Sequence, residues 1–311
     1  MSVQCRPGNQ ADPTGGTCLP SSSIQKLVKT WNKTHKNKIR VGGARTHKNK
    51  SNKNNNNNKS KGSAPLWSAL RDAMAKTYSC DNEYCAVKKL ASKKDQQKLL
   101  PFFKPERPAA WDKDLKQWLD TENIEHVMKQ YEAAHPHFAF LGAVPLDFDT
   151  TVPEWGQCVS EEMCKLNLEQ SSKKGKTNLG VIFNLDPHDK PGSHWVAAYV
   201  DIPKKSAYYY DSYGYKPEKE IAAFLERVQE QGCDHVYYND IRHQRSESEC
   251  GTYCMYVILN LLGGRPFQEI CKDVVSDDVM NTFRDVLFAE ERPRKAAIEQ
   301  ALPVLQKLRL V

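Results

Sequence analysis

The segment that most constrains the fold is a long apolar run that begins at a cysteine. It extends over residues 250–262 and is followed by the glycine pair Gly263-Gly264. Apolar side chains recur along it every three or four residues, and paired glycines are typical of a helix end. The pattern predicts a buried helix with Cys250 in its first turn.

The position of Cys250 has chemical consequences. A helix N-terminus carries partial positive charge and unpaired N–H groups, and both favour a thiolate over a thiol. Ser246, Ser248 and Glu249 directly precede the cysteine, and we expect their side chains to cap these N–H groups. Most free cysteines are small buried hydrophobic residues. The helix alone therefore leaves both interpretations of Cys250 open.

A second stretch, residues 191–214, has the pattern of a β-hairpin. Two runs of aromatic and β-branched residues flank a polar turn that contains a proline, as expected for two antiparallel strands. A turn centred on Ile202-Pro203 places His194 directly opposite Asp211. Their Cβ atoms would then lie about 4.5–5.5 Å apart. The sequence thus predicts an imidazole held by a carboxylate.

These residues together match the components of a thiol nucleophile with its base. Gln244 precedes Cys250 in the same loop, and its amide can donate to a developing oxyanion beside the Cys250 backbone N–H. Each residue alone has an ordinary structural explanation, but the combination favours catalysis. His188 is an alternative base, although it precedes a turn instead of opening a strand opposite an acid.

The spacing of these residues resembles that of the ubiquitin-like-protein (SUMO-specific) cysteine protease family, which includes the adenovirus-type proteases. The shared pattern is His194-Trp195, an aspartate 17 positions after the histidine, and a glutamine separated by five residues from Cys250-Gly251. In line with the resemblance, residues 118–128 are similar to the segment that opens the catalytic domain of the family.

The branch of the family that the chain resembles most is that of the large cytoplasmic DNA viruses. Residues 140–148 and 183–195 carry this similarity, and the whole resemblance covers roughly residues 111–288. It implies an α+β, papain-like fold in which a mixed central sheet packs against the nucleophile helix.

The resemblance also implies a role for each candidate residue. Cys250 matches the nucleophile, His194 the general base, Asp211 the acid that orients it, and Gln244 the donor of the oxyanion hole. Trp195 matches the aromatic residue beside the channel through which substrate glycines pass. No cofactor or metal is implied. Glu249 departs from the pattern, because cellular members usually have aspartate before the cysteine.

The function implied is that of a thiol endopeptidase with Gly-Gly-X protein substrates. It would process viral structural polyproteins during virion maturation, in the virion or the host cytoplasm. A SUMO- or ubiquitin-like deconjugating isopeptidase would use the same machinery. An acetyltransferase of the same clan and a catalytically silent, nucleic-acid-binding particle protein are further alternatives.

The chain divides into four predicted regions. Residues 1–32 form an N-terminal segment with a short capped helix, residues 33–62 a basic arm, residues 63–110 an accessory helical region, and residues 111–311 the catalytic domain. The N-terminus lacks the apolar core of a signal peptide, and no run of about 18 apolar residues occurs. We therefore expect neither secretion nor membrane insertion.

The basic arm has ten Lys and Arg residues between positions 33 and 61 and no acidic residue. Such a segment buries too little apolar surface to become ordered. It can contact nucleic acid through phosphate charges, or it can be a solvated insertion without a role. Gly43-Ala44 lies within it and is a possible self-cleavage site, with a flexible hinge as the alternative.

The chain contains ten cysteines. Without a secretory signal, we expect free thiols in a reducing compartment. Cys80, Cys85, Cys158 and Cys164 are conceivable metal ligands, but their spacings fit no zinc template.

Hydrophobic periodicity predicts several elements around the site. The helix expected from residue 113 to residue 134 has Trp118 and Leu119 facing inward. The remaining expected elements are strands at residues 179–185 and 235–239 and helices at residues 218–231, 277–290 and 294–310.

Overall fold

The computed structural model describes residues 4–9, 17–40, 63–154 and 156–299 of the 311. The chain forms two compact units, of which one contains residues 1–106 and 289–293 and the other residues 107–288 and 294–311. Within the described ranges, no helix is both long and apolar enough to cross a membrane.

The first unit is helical. Its elements are α1 (Ser21–Thr34), α2 (Ser63–Tyr78), α3 (Glu83–Leu90), α4 (Lys93–Leu99) and a 3-10 helix at Leu100–Phe102. As the periodicity predicts, α1 buries Ile24, Leu27, Val28 and Trp31. The side-chain cap expected for this helix does not form, because Pro20 occupies the N-cap position and Ser21 already lies inside the helix.

The second unit combines helices with two sheets. Its elements are a 3-10 helix at Ala109–Asp112, α5 (Thr121–Ala134), β1 (Phe138–Val144), β2 (Thr151–Val152), β3 (Gln157–Cys158), α6 (Glu161–Cys164), α7 (Leu168–Lys173), β4 (Asn178–Asn184), β5 (Trp195–Asp201), β6 (Ser206–Tyr210), α8 (Lys219–Glu230), β7 (His235–Tyr238), α9 (Cys250–Leu262), α10 (Phe267–Lys272) and α11 (Asp277–Leu287). The predictions of β4, β7, α8 and α9 are confirmed to within about two residues, whereas α11 ends before residue 290.

The main sheet has five strands in the order β1-β4-β5-β6-β7. Strand β1 runs parallel to β4 and β6 parallel to β7, whereas β5 is antiparallel to both of its neighbours. The fold is therefore α+β with a mixed sheet, as expected. This arrangement places the carboxyl ends of β1, β4, β6 and β7 and the amino end of β5 at one common edge.

Helix α9 packs against this sheet and is enclosed along its length. Every residue from Cys250 to Leu261 is buried. Gly180 in β4 makes room for the helix, because a Cβ at this position would lie 3.2 Å from Cγ2 of Ile258. On the core side formed with α8, Val196 and Ala198 of β5 join Phe224.

The hairpin of β5 and β6 forms, but its predicted register is wrong by two positions. Ala197 pairs with Tyr210 and Asp201 with Ser206. The turn occupies residues 202–205, where Lys205 has a φ of +48° and Asp201 Oδ1 accepts the N–H of Lys204 at 3.2 Å. A shift of two leaves each side chain on its face of the sheet, whereas a shift of one would not.

Strand β1, which the hydrophobic pattern does not predict, contains a bulge. Its register with β4 shifts between Phe140 and Ala143, and Gly142 adopts a φ of +121°, which favours glycine. Two side chains of α5 bind the backbone groups that the bulge leaves unpaired. Glu125 Oε1 accepts the Ala143 N–H at 2.8 Å, and Lys129 Nζ donates to the Phe140 carbonyl at 2.9 Å.

The helix expected from residue 113 begins only at Thr121. Asp120 is its N-cap, and its carboxylate accepts the Asn123 N–H at 2.8 Å in a reciprocal capping box. Leu119 is buried as expected, but Trp118 is 43% exposed. The inward orientation predicted for Trp118 is therefore wrong, because the segment before the cap is not helical. The helix expected at residues 294–310 lies largely outside the described residues.

The expectation of free thiols is wrong for six cysteines. Disulfides join Cys5 to Cys18, Cys80 to Cys85 and Cys158 to Cys164. The Cα atoms of each pair are 5.2–6.6 Å apart, which is bridging distance. The four conceivable metal ligands are thus paired with one another. Cys233, Cys250, Cys254 and Cys271 are free and buried.

Candidate active site

Cys250 is the first residue of α9 and is 2% exposed. The predicted capping of this helix is wrong, because Glu249 occupies the N-cap position and its side chain makes no capping hydrogen bond. The hydroxyls of Ser246 and Ser248 donate to the Glu249 carboxylate instead, the latter at 2.6 Å, and Asn281 Nδ2 donates to it at 2.8 Å. The buried Glu249 carboxylate thereby fixes the loop that leads into Cys250.

His194 lies between Asp211 and Cys250, as the sequence predicts. Its Nε2 lies 2.8 Å from Asp211 Oδ1, and the Cys250 side chain is close enough to raise the pKa of the imidazole. The imidazole is 13% exposed and the Asp211 carboxylate 1% exposed. Because Nε2 is hydrogen-bonded to Asp211, Nδ1 is the ring nitrogen that remains to exchange a proton with the Cys250 sulfur.

The electrostatics at His194 favour a positively charged imidazole. Burial lowers the pKa of His194, but the hydrogen bonds and charges of Asp211 and Cys250 outweigh burial and raise this pKa to about 9. An imidazolium beside a sulfur stabilises the thiolate, which is the nucleophilic form of cysteine. The pair can therefore attack an electrophile and transfer a proton.

The other free cysteines lack this environment. Burial raises the pKa of Cys254 well above its usual value, that of Cys233 to about 11 and that of Cys271 to about 12. Since the thiol rather than the thiolate then predominates near neutral pH, these three are packing residues. This agrees with the interpretation of Cys254 as a residue packed beneath the nucleophile.

Gln244 is fully buried, with its amide held in one orientation. Ser212 Oγ donates to Oε1 at 2.6 Å, and Nε2 donates to the Ser246 carbonyl at 2.9 Å. Because the hydroxyl donor marks the oxygen, the NH₂ group faces the loop that precedes Cys250. An amide NH₂ has two hydrogens, so one can donate to a substrate oxygen.

Trp195 packs beside the first turn of α9. It is 5% exposed, and its indole N–H donates to the Leu119 carbonyl at 2.9 Å. A Cβ on Gly251 would lie 3.3 Å from Trp195 Cδ1 and 3.2 Å from Leu119 Cδ1. Glycine after the nucleophile thus permits both side chains to approach the sulfur-bearing turn.

A cavity of about 410 Å³ adjoins Trp195. Its walls come from the segment before α5, the end of β1 and the loop between β4 and β5. The lining residues are Trp118, Leu119, Asp120, Thr121, Ala143, Val144, Pro145, Val159, Asn184, Asp186, Pro187, His188, Lys190, Pro191, Gly192 and Trp195. The exposed Trp118, whose orientation the periodicity misassigns, is therefore a wall of this cavity.

His188, the alternative base, lies at the rim of the cavity. Its Nδ1 is 2.6 Å from Asp147 Oδ2, and its backbone N–H donates to Asp147 Oδ1 at 2.8 Å. These contacts join the loop between β4 and β5 to the segment that follows β1. Cys250 is among the groups that raise the pKa of His194, which favours His194 as the base.

Tyr213 is a residue of the site that the sequence reasoning missed. Its ring stacks on the His194 imidazole with centroids 4.8 Å apart and planes 26° apart. Its N–H donates to Asp211 Oδ1 at 2.8 Å, and its hydroxyl donates to the Ser246 carbonyl at 3.0 Å. Tyr213 therefore holds the base, the acid and the nucleophile loop together. The only signal was its proximity to Asp211 in sequence.

Arg284 of α11 is a second missed residue. It is 2% exposed, and its guanidinium donates to the Gln117 carbonyl at 2.6 Å and to the Ser248 carbonyl at 2.7 Å. Arg284 thus connects the segment that leads into Trp118 to the loop that leads into Cys250. In sequence it resembles any arginine of an amphipathic helix, so no signal distinguished it.

The possible self-cleavage site, Gly43-Ala44, lies outside the described residues. Within the described ranges, no group of three or more His, Cys, Asp or Glu side chains is arranged to hold a metal ion.

Comparison with known proteins agrees with this geometry. Residues 175–295 match the family model of the Ulp1 protease family, C-terminal catalytic domain. The matched range contains His194, Asp211, Gln244 and Cys250. Over this range the chain is similar to the Ulp1-type cysteine proteases.

Viral proteins are among the relatives of this chain. A putative thiol protease of Acanthamoeba polyphaga mimivirus is 35% identical over 181 residues, which cover 56% of this chain and 58% of the relative. The chain thus spans little more than half of that protein. A cysteine protease of an African swine fever virus isolate is 27% identical over 233 residues, covering 68% of this chain and 84% of the relative.

Solved structures show the same fold. The crystal structure of a selenomethionine-containing protease of African swine fever virus superposes with a TM-score of 0.61 at 20% identity and covers 93% of this chain and 96% of that one. Another crystal structure of that viral protease superposes with a TM-score of 0.56 at 22% identity. This match covers 71% of this chain and 89% of that one. The likeness confirms the expected protease fold.

Proposed function

We propose that this chain is a thiol endopeptidase that cleaves protein substrates after Gly-Gly. Its proposed role is to process viral structural polyproteins during virion maturation, in the virion or the host cytoplasm. The observation that carries the proposal is the placement of His194 between Asp211 and Cys250, next to a cavity walled by two tryptophans.

The reaction follows from the atoms present. The Cys250 thiolate attacks the substrate carbonyl carbon, a C–S bond forms, and the carbonyl electron pair moves to oxygen. The Gln244 amide and the Cys250 N–H donate to this oxyanion, and each such donor is worth about 3–4 kcal/mol. The His194 imidazolium gives its proton to the leaving nitrogen as the C–N bond breaks. His194 then takes a proton from water, whose oxygen attacks the thioester carbon, and the C–S bond breaks to release the acid and the Cys250 thiolate, which restores the ion pair with the His194 imidazolium.

The glycine preference is supported by the shape of the site. Trp195 and Leu119 lie close to the turn that carries the nucleophile, and Trp118 and Trp195 both line the adjoining cavity. A substrate segment between bulky aromatic walls is favoured when it lacks β-carbons. Two successive glycines before the scissile bond meet this requirement.

A deconjugating activity is the second candidate. One African swine fever virus relative, 26% identical over 233 residues, is named as a SUMO-1 cysteine protease. A SUMO- or ubiquitin-like modifier also presents a glycine carbonyl at the end of an extended tail. The same nucleophile, base and channel would therefore serve an isopeptide bond.

One experiment separates these two functions. The chain and its Cys250→Ala variant are incubated with a peptide spanning Gly-Gly-Ala and with a fluorogenic conjugate of a ubiquitin-like modifier. Cleavage of the peptide supports the endopeptidase, and cleavage of the conjugate alone supports deconjugation. If neither is cleaved, or if Cys250→Ala cleaves as well as the parent, both proposals fail.

We also propose that the chain cuts itself between Gly43 and Ala44 and that residues 33–61 bind nucleic acid. The flanking basic residues and the proposed Gly-Gly specificity support these ideas. Intact-mass measurement of purified protein should detect a fragment that begins at Ala44, and the Cys250→Ala variant should lack this fragment.

The proposed nucleic-acid binding has its own test. Binding of a labelled duplex should weaken steeply with salt and be lost when residues 33–61 are deleted. Salt-independent binding would contradict the proposal that these residues bind nucleic acid.

A further inference from the structure

The common edge of the main sheet is divided between different surfaces. The cavity lies at β1, β4 and β5, since Val144 ends β1, Asn184 ends β4 and Trp195 begins β5. His194 and Asp211 meet at the neighbouring ends of β5 and β6. The remaining portion of the edge, at β6 and β7, lies outside the cavity and carries exposed apolar side chains.

Exposed apolar side chains gather at this remaining portion. Tyr215 is 63% exposed and Ile241 36% exposed, and they follow β6 and β7. Their loops touch, because Gly214, with a φ of +77°, packs so closely that a Cβ there would lie 3.0 Å from the Ile241 carbonyl carbon. The centroids of the Tyr213 and Tyr215 rings are 5.9 Å apart. We call Tyr213, Tyr215 and Ile241 the aromatic patch.

The aromatic patch is continuous with the active site. Tyr213 stacks on the His194 imidazole, so the patch begins at the proposed general acid. On the other side of His194, its chain neighbour Trp195 belongs to the cavity. The Arg242 guanidinium, 5.1 Å from the Tyr213 ring centroid, adds a positive charge at the border of the patch.

We propose that the aromatic patch binds the substrate segment on the carboxyl side of the scissile bond. The inference rests on the proposed function. If the glycine tail fills the cavity and His194 protonates the leaving nitrogen, the departing segment continues past His194 toward β6 and β7. Tyrosine rings offer large apolar surfaces with polar tips, so the patch selects an apolar or aromatic substrate side chain.

The spacing of the strands indicates which substrate residue reaches the patch. From β5 to β7 there are two strand separations, or about 9–10 Å. An extended peptide advances about 3.3–3.6 Å per residue. The third residue after the scissile bond therefore lies over the patch, whereas the first is still beside His194.

A substrate series with one acyl portion tests this assignment. All members end in the same Gly-Gly segment, followed either by a coumarin amide, which has no residues after the bond, or by peptides of one to four residues. For the parent chain, kcat/KM should rise about tenfold when a phenylalanine replaces glycine as the third residue. The double variant Tyr215→Ser, Ile241→Ser should lose this rise and hydrolyse the coumarin amide as before.

Val274→Ser is the matched control, because Val274 is also exposed, at 50%, but lies in the segment between α10 and α11, outside the patch. It should retain the tenfold rise. The inference is overturned if phenylalanine gives the parent no advantage, or if the double variant loses activity equally toward the coumarin amide and the peptides. Failure of the parent to hydrolyse any substrate would instead overturn the proposed function and the inference with it.

Discussion

The first two turns of α9 each carry a cysteine, and the two thiols have different neighbours. Cys250 and Cys254 are 2% and 0% exposed and belong to the same buried helix. Cys250 has the His194 imidazole as a partner, whereas burial raises the pKa of Cys254 well above its usual value. Both cysteines are buried in the same helix, so neither burial nor the helix distinguishes them. The difference is that His194, at the edge of the sheet, is a neighbour of Cys250.

Replacing each cysteine in turn gives the largest contrast. Cys250→Ala should lower kcat/KM on a cleavable peptide by at least about 10⁴-fold, because the nucleophile is removed. Cys254→Ala should keep activity within about twofold and lower the free energy of unfolding by about 1–2 kcal/mol through a small cavity. Steady-state kinetics and urea unfolding measure both. Loss of catalysis in Cys254→Ala without unfolding would break the contrast.

The carboxylate that holds the imidazole should have the next largest effect. Asp211→Asn should reduce kcat/KM by about 10³-fold, since an amide neither fixes the imidazole nor stabilises its charge as well. Asp201→Asn is the control, because Asp201 is buried at the opposite end of β5 and binds Lys204. Activity losses of similar size in both variants would show that stability, not His194, is affected.

A smaller effect is expected at the oxyanion donor. Gln244→Ala should lower kcat by about 10²-fold with little change in KM, since the lost hydrogen bond strengthens only in the transition state. Ser212→Ala should cost about tenfold, because the amide loses the hydroxyl that fixes its orientation. If Gln244→Ala raises KM and leaves kcat unchanged, Gln244 binds substrate and is not an oxyanion donor.

The smallest effect is a pH dependence of stability. The pKa of His194 is raised from 6.5 to about 9 in the folded state. Its proton therefore stabilises the fold fully below pH 6.5, and this contribution disappears as pH rises through about 9. The unfolding free energy of the parent relative to His194→Gln should fall by roughly 1–3 kcal/mol over this range. A pH-independent difference would mean that the imidazole is not charged beside Cys250.

The sequence was sufficient to identify the candidate site because local pattern and pairing constrain it strongly. The recurrence of apolar side chains every three or four residues predicted that α9 is a buried helix with Cys250 at its start. Two aromatic strands predicted the hairpin, and the structure brings His194 and Asp211 into contact although the register differs by two. A two-residue shift preserves the face of the sheet, so the side chains still meet, diagonally instead of directly opposite each other.

The remaining features depend on backbone details that sequence pattern does not encode. The positive φ of Lys205 extends the hairpin turn, and no residue preference signals it. The nonhelical segment before Asp120 exposes Trp118, whereas periodicity placed it inside. The buried side chain of Arg284 binds carbonyls far away in sequence. The disulfides arise from local proximity, which cysteine spacing alone did not reveal.

Helix α9 is buried from Cys250 to Leu261, and this enclosure has a practical consequence for protein engineering. Substitutions in the helix would disturb the position of the sulfur before they altered recognition. The cavity lining, by contrast, includes short segments outside helices and strands at residues 118–120 and 186–192. Directed evolution toward a new cleavage sequence should therefore randomise these segments and leave the helix unchanged.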